Sequence, residues 1–140
     1  MRKWEVDTTL IDAWVGSLNE EEFEHLFAAL EYLEEHGPTA GRPFIDTLEG
    51  SRHPNMKELR PRPTTGGVYM RALFAFDIQS RAIMLVAGDK AGNWSKWYGT
   101  NIPIADDLLT EHQDRLRKDL HDNTTTTARK KSKTRKDKKR

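Results

Sequence analysis

The chain begins with strand-like alternation and then changes period. Between Lys3 and Val6, Trp4 and Val6 share a face, which predicts a short first strand. Leu10, Trp14 and Leu18 then recur at helical spacing behind Thr8 and Thr9, either of which can cap a short helix through Trp14. The next helix has sharper limits. Ser17-Leu18-Asn19-Glu20 is a capping-box pattern, and Asn19 is itself a cap candidate before Glu20, Glu21 and Glu22, whose charges suit the positive end of a helix dipole. Phe23, Leu26, Phe27, Leu30 and Leu33 form its apolar stripe, and Gly37-Pro38 stops it.

From Thr39 to Pro54, glycines, prolines and mixed polarity predict a loop, with Phe44, Ile45 and Leu48 folding back onto the core. Met56 to Arg60 is a candidate strand. Beyond PRPTTGG, Val68 to Ile78 alternates, placing Val68, Met70, Ala72, Phe74 and Phe76 on one face and Tyr69, Arg71, Leu73 and Asp77 on the other. A tight connection leads into Ala82 to Ala87, a continuous apolar run expected of a central strand. Gly88 to Asn93 is turn-rich, and Trp94 to Tyr98 reads as a strand end or an ordered loop. Pro103 suits the first turn of a last helix, in which Ile104, Leu108, Leu109, His112, Leu116 and Leu120 line one side until the pattern fades near Asn123. The expected fold class is α+β: a small antiparallel sheet of an N-terminal strand plus a C-terminal meander, with two N-terminal helices and one C-terminal helix packed on one face.

Composition narrows the class. A chain of 140 residues, 36% hydrophobic, holds one domain with a modest core. The expected limits are 1–122 for that domain and 123–140 for a disordered basic tail. No apolar run reaches the roughly 18 residues of a membrane span, and no signal-peptide core follows Met1, so a cytoplasmic location is expected. With no cysteine there is no disulfide, thiolate nucleophile or cysteine zinc site. His25, His36, His53, His112 and His121 show no ligand spacing, and neither a metal nor a cofactor is expected.

The net charge of +1 conceals two opposed regions. Residues 1 to 127 carry 14 bases and 21 acids, a net of −7, while residues 128 to 140 carry nine bases and Asp137, a net of +8. Such a tail binds RNA phosphates without sequence preference, or merely keeps the protein soluble. The body is itself divided: Glu5 to Glu49 holds twelve acids and one base, Arg42, whereas Arg52 to Tyr98 holds eight bases and three acids. Basic residues interleaved with aromatics on a small sheet point to RNA handling. The acidic helix from Glu20 to His36 is a solvated face or a surface for a basic partner segment.

Five motifs follow in order: KELRP at Lys57 to Pro61, RALFAFD at Arg71 to Asp77, IMLVAGDKAG at Ile83 to Gly92, KWY at Lys96 to Tyr98, and the helix opening IPIADDLL. In that order and spacing the chain resembles the RelE/HigB superfamily of bacterial type II toxins, near its phage-derived HigB-like branch, over about residues 1 to 121. The resemblance implies a RelE-like, microbial-ribonuclease-like fold and a ribosome-dependent endoribonuclease, an mRNA interferase that inhibits translation. Its implied partners are mRNA on the ribosome and a cognate antitoxin, usually a helix-turn-helix protein of the HigA kind. Two alternatives stand beside it: a ParE-like gyrase poison, and a non-enzymatic phage-derived binding or regulatory protein.

Cleavage by the ribose 2′-hydroxyl needs a base, charge stabilisation at phosphorus and an acid for the leaving 5′-oxygen. Crowded cations lower a lysine pKa, so Lys57 or Lys90 is the expected base, with Lys57 the assigned one. Arg60 and Arg71 are the expected phosphate clamps, and Lys90 and Lys96 supply further positive charge. Tyr98 stacks on a base or takes part in proton transfer, completing a catalytic set of Lys57, Arg60, Arg71, Lys90 and Tyr98. Lys96, Trp97, Arg62 and His53 are the expected RNA contacts. Trp97 and Trp94 are stacking alternatives to Tyr98, with core packing as the other reading of each, and plain surface is the other reading of Arg62 and His53.

Overall fold

The computed structural model describes residues 3–90 and 92–133, the side chains of 122–133 excepted. The expected basic tail therefore falls on a helical backbone as far as Lys133 and, from 134, outside the described residues.

Strand β1 (Val6–Asp7) leads through a 3₁₀ turn (Thr9–Ile11) into α1 (Asp12–Gly16) and then α2 (Glu20–His36). The Asn19 side chain accepts from the Glu22 backbone N–H at 2.8 Å while the Glu22 carboxylate accepts from the Asn19 N–H at 2.9 Å, a complete capping box. Helix α2 ends at Gly37, whose φ of +58° and whose contact with the Trp4 indole both exclude a side chain. Next come β2 (Ile45–Thr47), β3 (Lys57–Leu59), β4 (Met70–Phe76), β5 (Ala82–Asp89) and α3 (Trp94–Lys133).

The α+β class is borne out, with four differences in detail, the last of them at the start of α3. The predicted loop contains a strand: buried Ile45 and Leu48 bring β2 alongside β3, antiparallel, with Asp46 opposite Glu58. The sheet is mixed, in the order β1-β5-β4-β3-β2, because β1 pairs with β5 in parallel. Helices also cover both faces rather than one. Leu26, Ala29 and Leu33 of α2 pack with Ala72, Phe74, Ala82 and Met84, whereas Ala105 and Leu109 of α3 pack with Leu73, Ala75, Ile83 and Leu85. This is why β4 is apolar at nearly every position: a strand covered on both sides has no solvent face for polar side chains.

Helix α3 starts at Trp94, nine residues before Pro103. Asn93 is the decisive residue, its side-chain oxygen accepting from the Lys96 N–H at 3.1 Å and its carbonyl from the Trp97 N–H at 3.0 Å. Pro103 thus lies inside the helix. The early start turns Trp97 and Tyr98 towards the second core. From Thr110 the helix belongs to a second unit, which in its described part carries an Asp114–Arg117 ion pair at 3.4 Å and an exposed Leu120.

Candidate active site on the second face of the sheet

Strand alternation decides which basic residues meet. Glu58 pairs with Leu73, so both point to the face covered by α3, whereas Lys57 pairs with Phe74 and points to the face covered by α2. Arg71, opposite Gly88, shares the Glu58 face. A bulge at β5, where Leu73 pairs with Val86 but Phe74 with Met84, inserts Leu85 and restores alternation beyond it, bringing Lys90 to that side as well.

At the centre is a residue the sequence reading did not select. Glu58 is 6% exposed and accepts a 2.6 Å hydrogen bond from the Tyr98 hydroxyl. Arg71 Nε lies 3.8 Å from the same carboxylate oxygen, and Arg60 Nη1 lies 3.4 Å from the other. Arg60 is shared with Asp46, also at 3.4 Å. The Arg71 side chain is 6% exposed; its Nη1 donates to the Met70 carbonyl at 2.7 Å, and its Nε has no hydrogen-bond partner among the described residues. An acid inside an apolar strand, flanked by Lys57 and followed by Arg60, was the available signal, since a buried charge needs partners.

Lys90 Nζ sits 5.4 Å from the Trp94 ring centre and 5.9 Å from that of Tyr98. Burial lowers its pKa below the usual lysine value, and the positive charges of Arg71 and Arg60 lower it further against an opposing pull from Glu58. Tyr98 moves the other way. Burial, then the hydrogen bond and charge of Glu58, push the phenol up to about 12 against a partial offset from Arg71, so it stays protonated and donates.

Beside this cluster a cavity of about 310 Å³ opens between Phe44, Tyr69, Arg60, Arg62 and Arg71, with Pro43, Pro61 and Pro63 stiffening its rim. Helix α2 holds the rim in place. His25 Nδ1 lies 2.8 Å from the Arg62 carbonyl, and Glu21 accepts from both the backbone N–H and the hydroxyl of Thr65 at 2.9 Å.

Of the sequence-selected residues, Arg60, Arg71, Lys90 and Tyr98 come together, and Arg62 lines the adjoining cavity. Lys57 does not join them. Lys96 is exposed on the first turn of α3, and half-buried Trp97 packs against Gly88 and edge-on to Tyr98 at 5.2 Å. His53 Nε2 lies 3.2 Å from the Asp106 carbonyl in a tie between the 50–55 loop and α3, in which the Ser51 hydroxyl and the Arg52 N–H donate to the buried Asp106 carboxylate. Among the described residues, no group of three or more His, Cys, Asp or Glu is placed to hold a metal ion.

Three helices on a five-stranded mixed sheet, an α+β arrangement, define a RelE-like class of fold. Comparison with known sequences makes the family explicit: residues 13–110 match the model of the phage-derived Gp49-like proteins, and the chain belongs to that family. It is 51% identical over 109 residues to HigB2 of Mycobacterium tuberculosis and 46% identical over 107 residues to HigB3 of the same organism, both carrying the name of putative toxin. These matches cover 78% and 73% of this chain, 54% of HigB2 and 90% of HigB3, so the chain spans about half the length of the first relative. No solved structure matches significantly. The resemblance to the HigB-like branch is thus borne out. No described helix is long and apolar enough to cross a membrane.

Proposed function

We propose that this chain is the toxin of a type II toxin-antitoxin pair, held inactive by a cognate antitoxin of the helix-turn-helix kind, and that it cleaves mRNA on the ribosome. The observation that carries the cleavage reading is the convergence of Glu58, Arg60, Arg71, Lys90 and Tyr98 on one face beside an arginine-lined cavity. The names of the two mycobacterial relatives support the toxin reading.

The proposed cleavage uses side chains alone. The Glu58 carboxylate takes the proton of the ribose 2′-hydroxyl, and the 2′-oxygen attacks phosphorus. Arg71 and Arg60 then exchange part of their pairing with Glu58 for the phosphate oxygens, whose charge grows in the transition state. The P–O5′ bond breaks to leave a 2′,3′-cyclic phosphate, and the 5′-oxygen takes a proton from the Lys90 ammonium, whose lowered pKa makes it a better acid. Tyr98 holds Glu58 in place through its 2.6 Å hydrogen bond. An RNA base fits the cavity by stacking on exposed Tyr69, with Arg62 at its edge.

The test is a cleavage assay on ribosomes programmed with a defined message. Wild type gives discrete cuts, and Glu58→Gln, nearly isosteric, slows them by about 10² to 10⁴. Ribosome binding without cuts by wild type would favour the non-enzymatic reading, and gyrase-linked DNA damage with intact mRNA would favour the ParE-like one.

A further inference from the structure

The apolar stripe of α2 is wider than the sheet beneath it. Leu26, Ala29 and Leu33 are fully buried, but Phe23 and Phe27, one turn apart, are 46% and 50% exposed, with rings stacked 6.0 Å apart at 16°. Together with Leu30, Val6 of β1 and Val15 of α1 they line a groove of about 260 Å³. Glu31 and Glu34 form its polar edge. Two neighbouring phenylalanines half open to water are an apolar patch that calls for a partner.

Charge and side-chain size select among possible occupants. Helix α2 carries seven glutamates and no lysine or arginine, within a stretch from Glu5 to Glu49 whose single base is Arg42. A second copy of the chain meeting this face would set the same acidic helix against it, and like charges oppose that. The chain's own residues 128–140 have the right charge but no apolar residue larger than alanine, so they cannot fill the groove. What remains is a segment with large apolar side chains at one helical stripe and lysine or arginine beside them. Phe23, Phe27 and Leu30 fall at i, i+4 and i+7, the spacing that receives such a helix.

We propose that the groove between α2, α1 and β1 docks a basic amphipathic helix of a different protein. Its walls belong to the core on the α2 face, whereas the Glu58 cluster belongs to the α3 face, so the docked helix leaves the candidate active site uncovered. The inference is independent of whether the chain cleaves RNA.

The test measures anisotropy of a labelled synthetic peptide of about 18 residues, long enough for a marginally stable helix. Leucines occupy i, i+3, i+4 and i+7, with lysines elsewhere. The full-length chain binds this peptide; a version with glutamate replacing lysine and a leucine-scrambled version bind at least about tenfold more weakly. The double variant Phe23→Ser/Phe27→Ser loses about tenfold or more in affinity. Glu31→Lys/Glu34→Lys, whose surface changes spare the fold, weakens binding and flattens its salt dependence. Unfolding curves confirm that both variants are folded. The proposal is overturned if the peptide fails to bind, if the scrambled peptide binds equally well, or if both variants bind like wild type. It is also overturned if removal of residues 128–140 raises affinity tenfold, which would make the tail the occupant, or if wild type is a dimer that Phe23→Ser/Phe27→Ser dissociates.

Discussion

Replacing Tyr98 with phenylalanine removes one hydroxyl and keeps the ring that packs edge-on to Trp97 at 5.2 Å and under Lys90 at 5.9 Å. What is lost is the 2.6 Å hydrogen bond to Glu58, a carboxylate only 6% exposed. The rise of the phenol from 10.0 to about 12, equivalent to about 3 kcal/mol, comes first from burial of the phenolate and only then from Glu58, so the hydrogen bond supplies only a part of it. Partial solvent screening and the remaining Arg60 and Arg71 partners reduce the expected cost to about 1–2 kcal/mol. The sign with pH is set by the direction of the shift. Because the folded-state pKa lies above the unfolded value near 10, the stabilisation is complete below about pH 10 and is lost as pH rises through about 12. Urea unfolding of wild type and Tyr98→Phe at a series of pH values should therefore show a difference that is constant near neutrality and shrinks above pH 10. Cleavage should fall by no more than about tenfold, since a phenol held protonated positions Glu58 rather than accepting the proton. Equal stabilities at pH 7, a difference unchanged at pH 12, or a thousandfold loss of cleavage in a folded variant would each refute this account.

Lys57→Ala should leave cleavage on programmed ribosomes within about threefold of wild type, because the register of β3 against β4 turns Lys57 to the α2 face; a loss of about 10² or more would place it in the chemistry. Lys90→Arg should lower the cleavage plateau about 10²-fold and abolish the fall in rate on the alkaline side, since a lysine with a lowered pKa stops donating as pH rises through that pKa and an arginine does not titrate; an unchanged pH profile would remove Lys90 as the acid. Asp106→Ala should destabilise the fold by about 1–3 kcal/mol in urea unfolding, because it strands the Ser51 hydroxyl and the Arg52 N–H, and a neutral effect would show that water replaces the carboxylate.

The sequence by itself determined the elements whose causes are local. Asn19 and Glu22 cap α2 through bonds three residues apart, Gly37 ends it through its own φ, and the alternation along β4 separates two faces whichever strands pair with it. It did not determine that the cations and aromatics between Lys57 and Tyr98 share one sheet: Lys57 and Arg71 lie on strands, whereas Lys96, Trp97 and Tyr98 lie on the first turns of α3. The start of α3 was equally local, written in Asn93, but the stronger helix-start signal of Pro103 masked it. Only the tertiary structure decided the rest. The parallel pairing of β1 with β5 joins residues some 75 positions apart, and no local pattern encodes such a contact. The side on which each basic residue works depends on register, because a shift of one residue exchanges the faces of a strand. Register sends Lys57 away from Arg71, brings Glu58 beneath Tyr98 across 40 residues of chain, and, through the bulge at Leu85, returns Lys90 to the same side. Burial then sets the chemistry: the sequence supplied a lysine and a tyrosine, and their shared enclosure lowers the pKa of one and raises that of the other.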